Sequence, residues 1–397
     1  MSIRRTPWGT VGWDRDPVVR AWPGRTALAG DVTADACVVG LGASGLAAIE
    51  ALVARGLSVI GLDAGRVAAA AAGRNGGFLL AGSAPGLADA VESWGRDAAW
   101  ALHRATADEL DRQAALLGPD VIRRVGSIRL AGLPGPDRDD AEAADRVAES
   151  ADCARQADAL RAAGAAVERY EGPLGHGLVF PGDATCNPAR RVVELAARSS
   201  GTLHERTVVT AVRPGVVECE TGSVQAATII VAVDGRLQEF FPAAPVRTAR
   251  LQMLATAPLT DRTRLPTAVY ARWGYDYAQQ LPNGAMFVGG ARDRHEAEEW
   301  TTDHDPSRAV QDDLDDLAAR MAGEPVEVTD RWAASVGFTA DGRPVAGVVE
   351  RSDAGVVAAC GGYSGTGNLV GAVAARAAVA SALDGTPPPA WALAPTG

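Results

Sequence analysis

Residues 36–65 read ACVVGLGASGLAAIEALVARGLSVIGLDAG. Cys37 to Val39 is a short apolar run with the character of a buried parallel strand. Gly40, Gly42 and Gly45 follow as GxGxxG, Leu46 to Ala54 is apolar at helical spacing, and Gly56 closes that helix. Leu57 to Leu62 forms a second buried strand, ending at Asp63. Each glycine has a task. Gly40 permits the tight turn, Gly42 lets backbone approach a pyrophosphate, and Gly45 allows close helix–strand packing. The helix start at Ala43 and Ser44 offers free N–H groups and a positive dipole to phosphates. Asp63 comes 21 residues after Gly42 (63 − 42), near the ~20 expected of a ribose-binding acid. With Ala64 it completes a dinucleotide site for an unphosphorylated ribose, FAD or NAD. The expected fold class is α/β: a doubly wound dinucleotide-binding domain plus a mixed-sheet α+β substrate domain.

Downstream, residues 68–77 read AAAAAGRNGG, where an NAD domain normally continues into another βα unit. Near the C-terminus, residues 356–368 read VVAACGGYSGTGN before an Ala/Val-rich helix. A buried strand, a glycine-rich turn and a helix N-terminus make a second anion-binding position. Between these ends, Gly86 to Arg161 has helical spacing, with one strand at Val125 to Leu130 and a loop at Pro134 to Asp140. His103 is read as a surface residue. Asn187-Pro188 starts a helix running to about Arg198, since Asn caps and Pro suits the first turn. Thr207 to Val212 is a strand, Val216 to Glu220 and Ser223 to Ala226 form a hairpin, and Thr228 to Val233 is buried. Val246 to Thr256 and Tyr270 to Gly290 are long strands, with Pro282-Asn283-Gly284 as a hairpin turn. Tyr275 and Tyr277 are expected on one strand face, and Asp305 to Ala322 as an exposed acidic helix. The expected domains are an arm over 1–33, a discontinuous FAD domain over 34–90, 165–240 and 330–390, a helical segment over 91–164, and a substrate domain over 241–329.

Composition excludes several chemistries. The chain has 397 residues and a formal net charge of −11, which disfavours nucleic acid and anionic membranes as partners. All 38 basic residues are arginine, so no lysine Schiff base or lysine general base is available. The cysteines Cys37, Cys153, Cys186, Cys219 and Cys360 show neither disulfide nor zinc spacing, which suits a reducing cytoplasm. Met1 to Arg5 is not followed by the apolar run of a secretion signal, and no segment has the length and apolarity of a membrane span. Trp8, Trp13 and Trp22 occupy a Gly/Pro-rich arm.

The AAAAAGRNGG run after the second strand resembles the FAD-dependent amine and D-amino-acid-oxidase-like superfamily, most of all its gamma-glutamylputrescine oxidoreductase-like branch. That resemblance spans about Arg25 to Asp384. It implies noncovalent FAD, since no cysteine occurs between Arg331 and Gly347 where some relatives attach the flavin. It places Arg74, Asn75, Gly76 and Gly77 beside flavin and pyrophosphate, and Val208 against adenine. Ala232 and Gly235 fall near the cofactor. Gly362, Tyr363, Ser364, Gly365, Thr366 and Gly367 face the flavin pyrimidine, with Thr366 where many relatives carry His. Asp234 departs from the Asn or Ala-Gly of relatives.

The chemistry so implied is oxidation of an amine or amino acid C–N bond by hydride transfer to flavin N5, giving an imine. Oxygen or another acceptor takes the electrons; the lysine some relatives use to activate oxygen is absent. No acid or base is assigned. The pocket candidates are Tyr277, Trp332, Tyr363, Arg272 and Arg292, the arginines as carboxylate ligands. Two rivals remain: an NAD(P)H-using FAD hydroxylase, disfavoured by CGGYSGTGN where such enzymes carry a GD motif, and a non-catalytic dinucleotide-binding module.

Overall fold

A computed structural model describes residues 8–395; the arginines of Met1 to Arg5 lie outside them. The GxGxxG unit folds as its sequence dictates. Strand Ala36–Val39 lies beside Val59–Leu62, and helix Ala43–Val53 joins them. These strands enter a six-stranded sheet in the order Thr202–His204, Val59–Leu62, Ala36–Val39, Thr228–Val231, Gly355–Gly361, Val345–Ser352. All neighbours are parallel except the last pair. All four residues in each of the strands Ala36–Val39 and Val59–Leu62 are buried, which explains their continuous apolar reading. The Ala-rich helix Val370–Asp384 packs on Ala43–Val53; small side chains let two backbones approach closely. Helix Pro188–Arg198 starts where expected, with the Asn187 side chain accepting from Arg190 N.

The second sheet has eight strands: Val328–Phe338, Arg247–Pro258, Ala285–Gly289, Asp276–Gln280, Ala268–Ala271, Ser127–Leu130, Gly175–Phe180 and Glu168–Gly172. Here the expected boundaries shift. Strands Glu168–Gly172, Gly175–Phe180 and Val328–Phe338, assigned by sequence to the cofactor half, hydrogen-bond into the substrate sheet. So does Ser127–Leu130 from the helical segment. Sheet membership is a long-range pairing, which local periodicity does not carry.

Three further expectations change. Tyr275 lies outside strand Asp276–Gln280, following the tight turn Arg272–Gly274, so it shares no strand face with Tyr277. Helix Arg308–Ala322 is not an exposed acidic helix: Val310, Leu314, Leu317 and Met321 are buried against the sheet, and its acids occupy only the outer face. The N-terminal arm is built into the fold. Val32–Thr33 pairs with Gly222–Ala226, while Trp13 stacks on Phe287 at 3.6 Å between ring centroids. Trp22 Nε1 donates to the buried Glu205 carboxylate at 2.8 Å. Among the described residues no helix is long and apolar enough to cross a membrane.

Candidate functional site

One cavity of about 1580 Å³ runs between the two sheets. That exceeds the ~300–1,000 Å³ of an ordinary small-molecule pocket. Its first end is the GxGxxG turn. Gly40, Gly42, Ala43 and Ser44 line it, with Asp63, Ala64, Ala232 and Val208. Val208 is 39 % exposed, a free apolar surface for a planar ring. Asp63 does two jobs. Its Oδ2 accepts from Leu41 N and its Oδ1 from Gly65 N, both at 2.8 Å, so it braces the turn. Spare lone pairs remain for a ribose hydroxyl.

Gly45, Gly77, Gly235 and Gly362, expected to touch the cofactor, do not line the cavity. They sit where chains press together. A Cβ on Gly77 would come 2.2 Å from Cys186 O, and one on Gly235 would come 2.9 Å from Gly337 N. These glycines shape the walls without forming them.

The two small-residue turns meet, as the sequence order implies. Arg74, Asn75 and Gly76 line the cavity together with Tyr363, Ser364, Gly365, Thr366 and Gly367. An amide pair joins them. Asn368 Nδ2 donates to Asn75 Oδ1 at 2.9 Å and to Phe78 O at 2.8 Å, and Gly77 N donates to the same Asn75 oxygen at 2.8 Å. Behind this pair lies Arg191, fully buried. Its Nη1 donates to Asn368 Oδ1 at 3.1 Å, its Nη2 to Asn368 O at 2.5 Å, and its Nε to Gln113 Oε1 at 2.8 Å. A buried cation thus fixes the junction through neutral acceptors. Sequence reading missed Arg191 and Asn368. The available signal was that Arg191 follows Pro188 by three residues, on a helix face otherwise buried.

Asp234, the residue that departs from the relatives, has a structural task. Half-buried in the cavity wall, it accepts from Gly337 N at 3.1 Å through Oδ2 and from Tyr363 N at 3.2 Å through Oδ1. It ties the strand Thr228–Val231, the strand Val328–Phe338 and the C-terminal loop into one corner. Burial outweighs the lowering bonds from Gly337, Tyr363, Gly362 and Gly235, so its carboxyl sits at about 6.

The pocket candidates separate. Tyr277 lines the cavity with its ring against Gly76, and burial raises its phenol so that it stays protonated. Tyr363 also lines it, wedged against Gly367 and Gly371, with its phenol likewise held protonated by burial. Trp332 does not line it. This indole is buried behind the wall and donates to Arg74 O at 2.8 Å, so it braces the Arg74 loop. Arg272 does not line it either. Its guanidinium is committed to Asp276, at 2.9 Å, and to Asp293. Arg292 does line it. Its guanidinium carbon lies 4.7 Å from the Phe338 ring centroid, 5.2 Å from Trp300 and 5.6 Å from Tyr275. Its Nη1 is buried without a protein hydrogen-bond partner. His304 lies at the rim, its basicity lowered by partial burial and by the charges of Arg74 and Arg236. His103, expected at the surface, lines the far lobe instead. None of the five cysteines lines the cavity.

That lobe carries Asp183, which accepts from Ser127 Oγ and, at 3.1 Å, from Ala81 N. Burial pushes its carboxyl up to about 6, against 3.8 when exposed. The folded state therefore binds the proton more tightly than the unfolded state does. Asp183 stabilises the fold least above pH 6, and most below about pH 4. The difference of roughly two pH units corresponds to about 3 kcal/mol. An Asn side chain still accepts from Ala81 N through its oxygen, and its Nδ2 donates to Ser127 Oγ in place of the bond it loses. Asp183→Asn is thus expected to melt progressively above wild type as pH rises from 4 to 7, checked by thermal melts at each pH. A melting difference independent of pH would refute this account.

Comparisons with known proteins agree with this architecture. Residues 35–381 match the family model described as FAD dependent oxidoreductase. Among solved structures, L-proline dehydrogenase from P. horikoshii superposes with a TM-score of 0.69 at 14% identity, covering 91% of this chain and 96% of that one. Glycine oxidase from Geobacillus kaustophilus gives 0.64 at 19% identity, covering 89% and 95%. Iminodiacetate oxidase from Chelativorans sp. BNC1 gives 0.66 at 14% identity, covering 91% and 100%. At such identities the likeness is one of fold. No curated protein matches the sequence.

Proposed function

Because the chain belongs to the FAD-dependent oxidoreductase family of the D-amino-acid-oxidase type, we propose that it oxidises the C–N bond of an amino acid. The observation that carries this reading is Arg292: a guanidinium in the cavity wall, ringed by aromatics, with a buried N–H unclaimed by protein. A substrate carboxylate satisfies it, and a simple amine does not.

The residues fit FAD. Gly42 leaves open space at the helix start, since a Cβ there would meet only Ala72 Cβ, at 3.3 Å. Exposed Val208 offers a surface to adenine. The Tyr363–Gly367 turn and the Arg74–Gly76 turn flank the flavin position. No cysteine is placed in the wall to form a thioether to the flavin. When bound, FAD supplies the two-electron acceptor for hydride lost from the carbon beside nitrogen, leaving an imine that water hydrolyses.

The chain's own residues orient and desolvate. Arg292 holds the carboxylate, and Tyr277, protonated and packed on Gly76, excludes water from one wall. The amine must be uncharged to release hydride. His304, whose basicity is lowered by partial burial and by Arg74 and Arg236, is the imidazole at the cavity rim offered as the acceptor of the ammonium proton. Fine positioning, rather than a nucleophile, then sets the rate.

The test is anaerobic mixing of the FAD-loaded protein with D- and L-amino acids, primary amines and secondary amines. The expected result is bleaching of the visible flavin band by amino acids without NADPH. Bleaching by NADPH alone would transfer the protein to the hydroxylase class. Bleaching by amines lacking a carboxylate, but not by amino acids, would reverse the reading of Arg292. Oxygen or another acceptor then completes the cycle, and comparing reoxidation by air with reoxidation by a dye decides between them.

A further inference from the structure

Beyond Arg292 the cavity wall contains an odd construction. Arg272, Trp273 and Gly274 have φ of +50°, +55° and +91°. Two successive non-glycine residues in the left-handed region are strained and persist only where their surroundings impose them. The surroundings do so here. Buried Glu149 accepts from Trp273 N at 2.8 Å. The Arg272 guanidinium is clamped by Asp276 and Asp293. Asp276, itself fully buried, also accepts from Ala291 N at 2.9 Å, fixing the residue before Arg292.

The whole device holds two aromatic rings out. Trp273 is 45 % exposed and Tyr275 is 38 % exposed, and both line the cavity. Large apolar surface left open in a cavity wall marks a ligand contact. The same buried carboxylate therefore sets the distance between these rings and Arg292, whose guanidinium lies 5.6 Å from the Tyr275 ring centroid.

We propose that Trp273 and Tyr275 form the side-chain subsite and select substrates carrying a ring or a bulky apolar group beyond the carboxylate. This rests on the amino acid reading above and narrows it. Arg292 takes the carboxylate, and the strained turn presents an apolar surface to the opposite end of the same molecule. Small substrates such as glycine leave these rings wet and gain nothing from them.

The experiment uses the FAD-loaded protein with two readouts. The first is kcat/KM for tryptophan, phenylalanine and leucine against glycine and alanine, in both enantiomers. The second is binding without turnover, from the change in the flavin spectrum on titration with indole-3-acetate or with acetate. In wild type the bulky members of each set should be favoured. Trp273→Ala should weaken indole-3-acetate at least tenfold while acetate moves less than threefold, and should reduce the bulky-to-small kcat/KM ratio by a similar factor. Tyr275→Ala should act in the same direction. A wild-type preference for glycine, or an unchanged ratio in both variants, overturns the proposal. If no amino acid reduces the flavin, the amino acid reading falls by itself, and the indole-3-acetate titration still decides whether the two rings bind an apolar acid.

Discussion

Arg292→Met is expected to lower kcat/KM for amino acids about a thousandfold and to leave FAD bound. The guanidinium has no carboxylate partner of its own among the described residues. Its neighbour Asp293 is engaged by Arg272, and the rings of Tyr275, Trp300 and Phe338 surround it. A substrate carboxylate entering this aromatic wall finds a half-buried cation whose Nη1 is shielded from water and unpartnered. Removing one partner of such a pair costs roughly 3–5 kcal/mol, and about 4 kcal/mol is a factor of a thousand. Methionine keeps most of the volume, so the aromatic walls need not collapse. The informative quantity is a ratio. For a primary amine without a carboxylate the same substitution should change kcat/KM less than about threefold. Equal losses for both classes would mean that Arg292 supports the wall rather than the substrate. Flavin content, read from visible absorbance, separates either outcome from simple loss of cofactor.

The cofactor half of the molecule was legible because its signals are local. GxGxxG, the buried strands around it and Asp63 lie within thirty residues, and each obeys a steric or periodic rule that needs no partner. The C-terminal loop was legible as a strand, a glycine turn and a helix. What was not legible is what holds the two loops together. Arg191, Asn368 and Asn75 meet from three distant segments, and the helix periodicity that puts Arg191 on a buried face does not name the partners it meets there. Arg272 and Arg292 show the same limit. By sequence they are equivalent candidates; in the fold Asp276 claims one and leaves the other facing the cavity. Trp332 fails as a pocket residue for a related reason, since alternation along a strand gives two faces but not which one meets the cavity.

The glycines of the N-terminal turn give the sharpest separation of fold from binding. Gly45→Ala should compromise the protein itself. The added Cβ would come 1.8 Å from Gly40 O and 2.9 Å from Gly40 C, and both are backbone atoms of the same tight turn. Neither can move without unseating the strand Ala36–Val39, so the cost is about 3 kcal/mol or more, and the apoprotein should melt well below wild type. Gly42→Ala is different. Gly42 has φ −75°, which alanine adopts freely, and its Cβ would meet only Ala72 Cβ. The apoprotein should melt close to wild type. The methyl would instead occupy the space a pyrophosphate oxygen needs, displacing charge-assisted hydrogen bonds worth ~1.5–3 kcal/mol, so FAD affinity should fall about 10- to 100-fold. Thermal melts of both apoproteins and FAD titrations of Gly42→Ala and wild type check the pair. If Gly42→Ala binds FAD as wild type does, the pyrophosphate does not lie over Gly42, and the helix N-terminus loses its role as the phosphate anchor. If Gly45→Ala melts as wild type does, the 1.8 Å approach is not maintained in solution, and the turn is looser than its strand–helix packing requires.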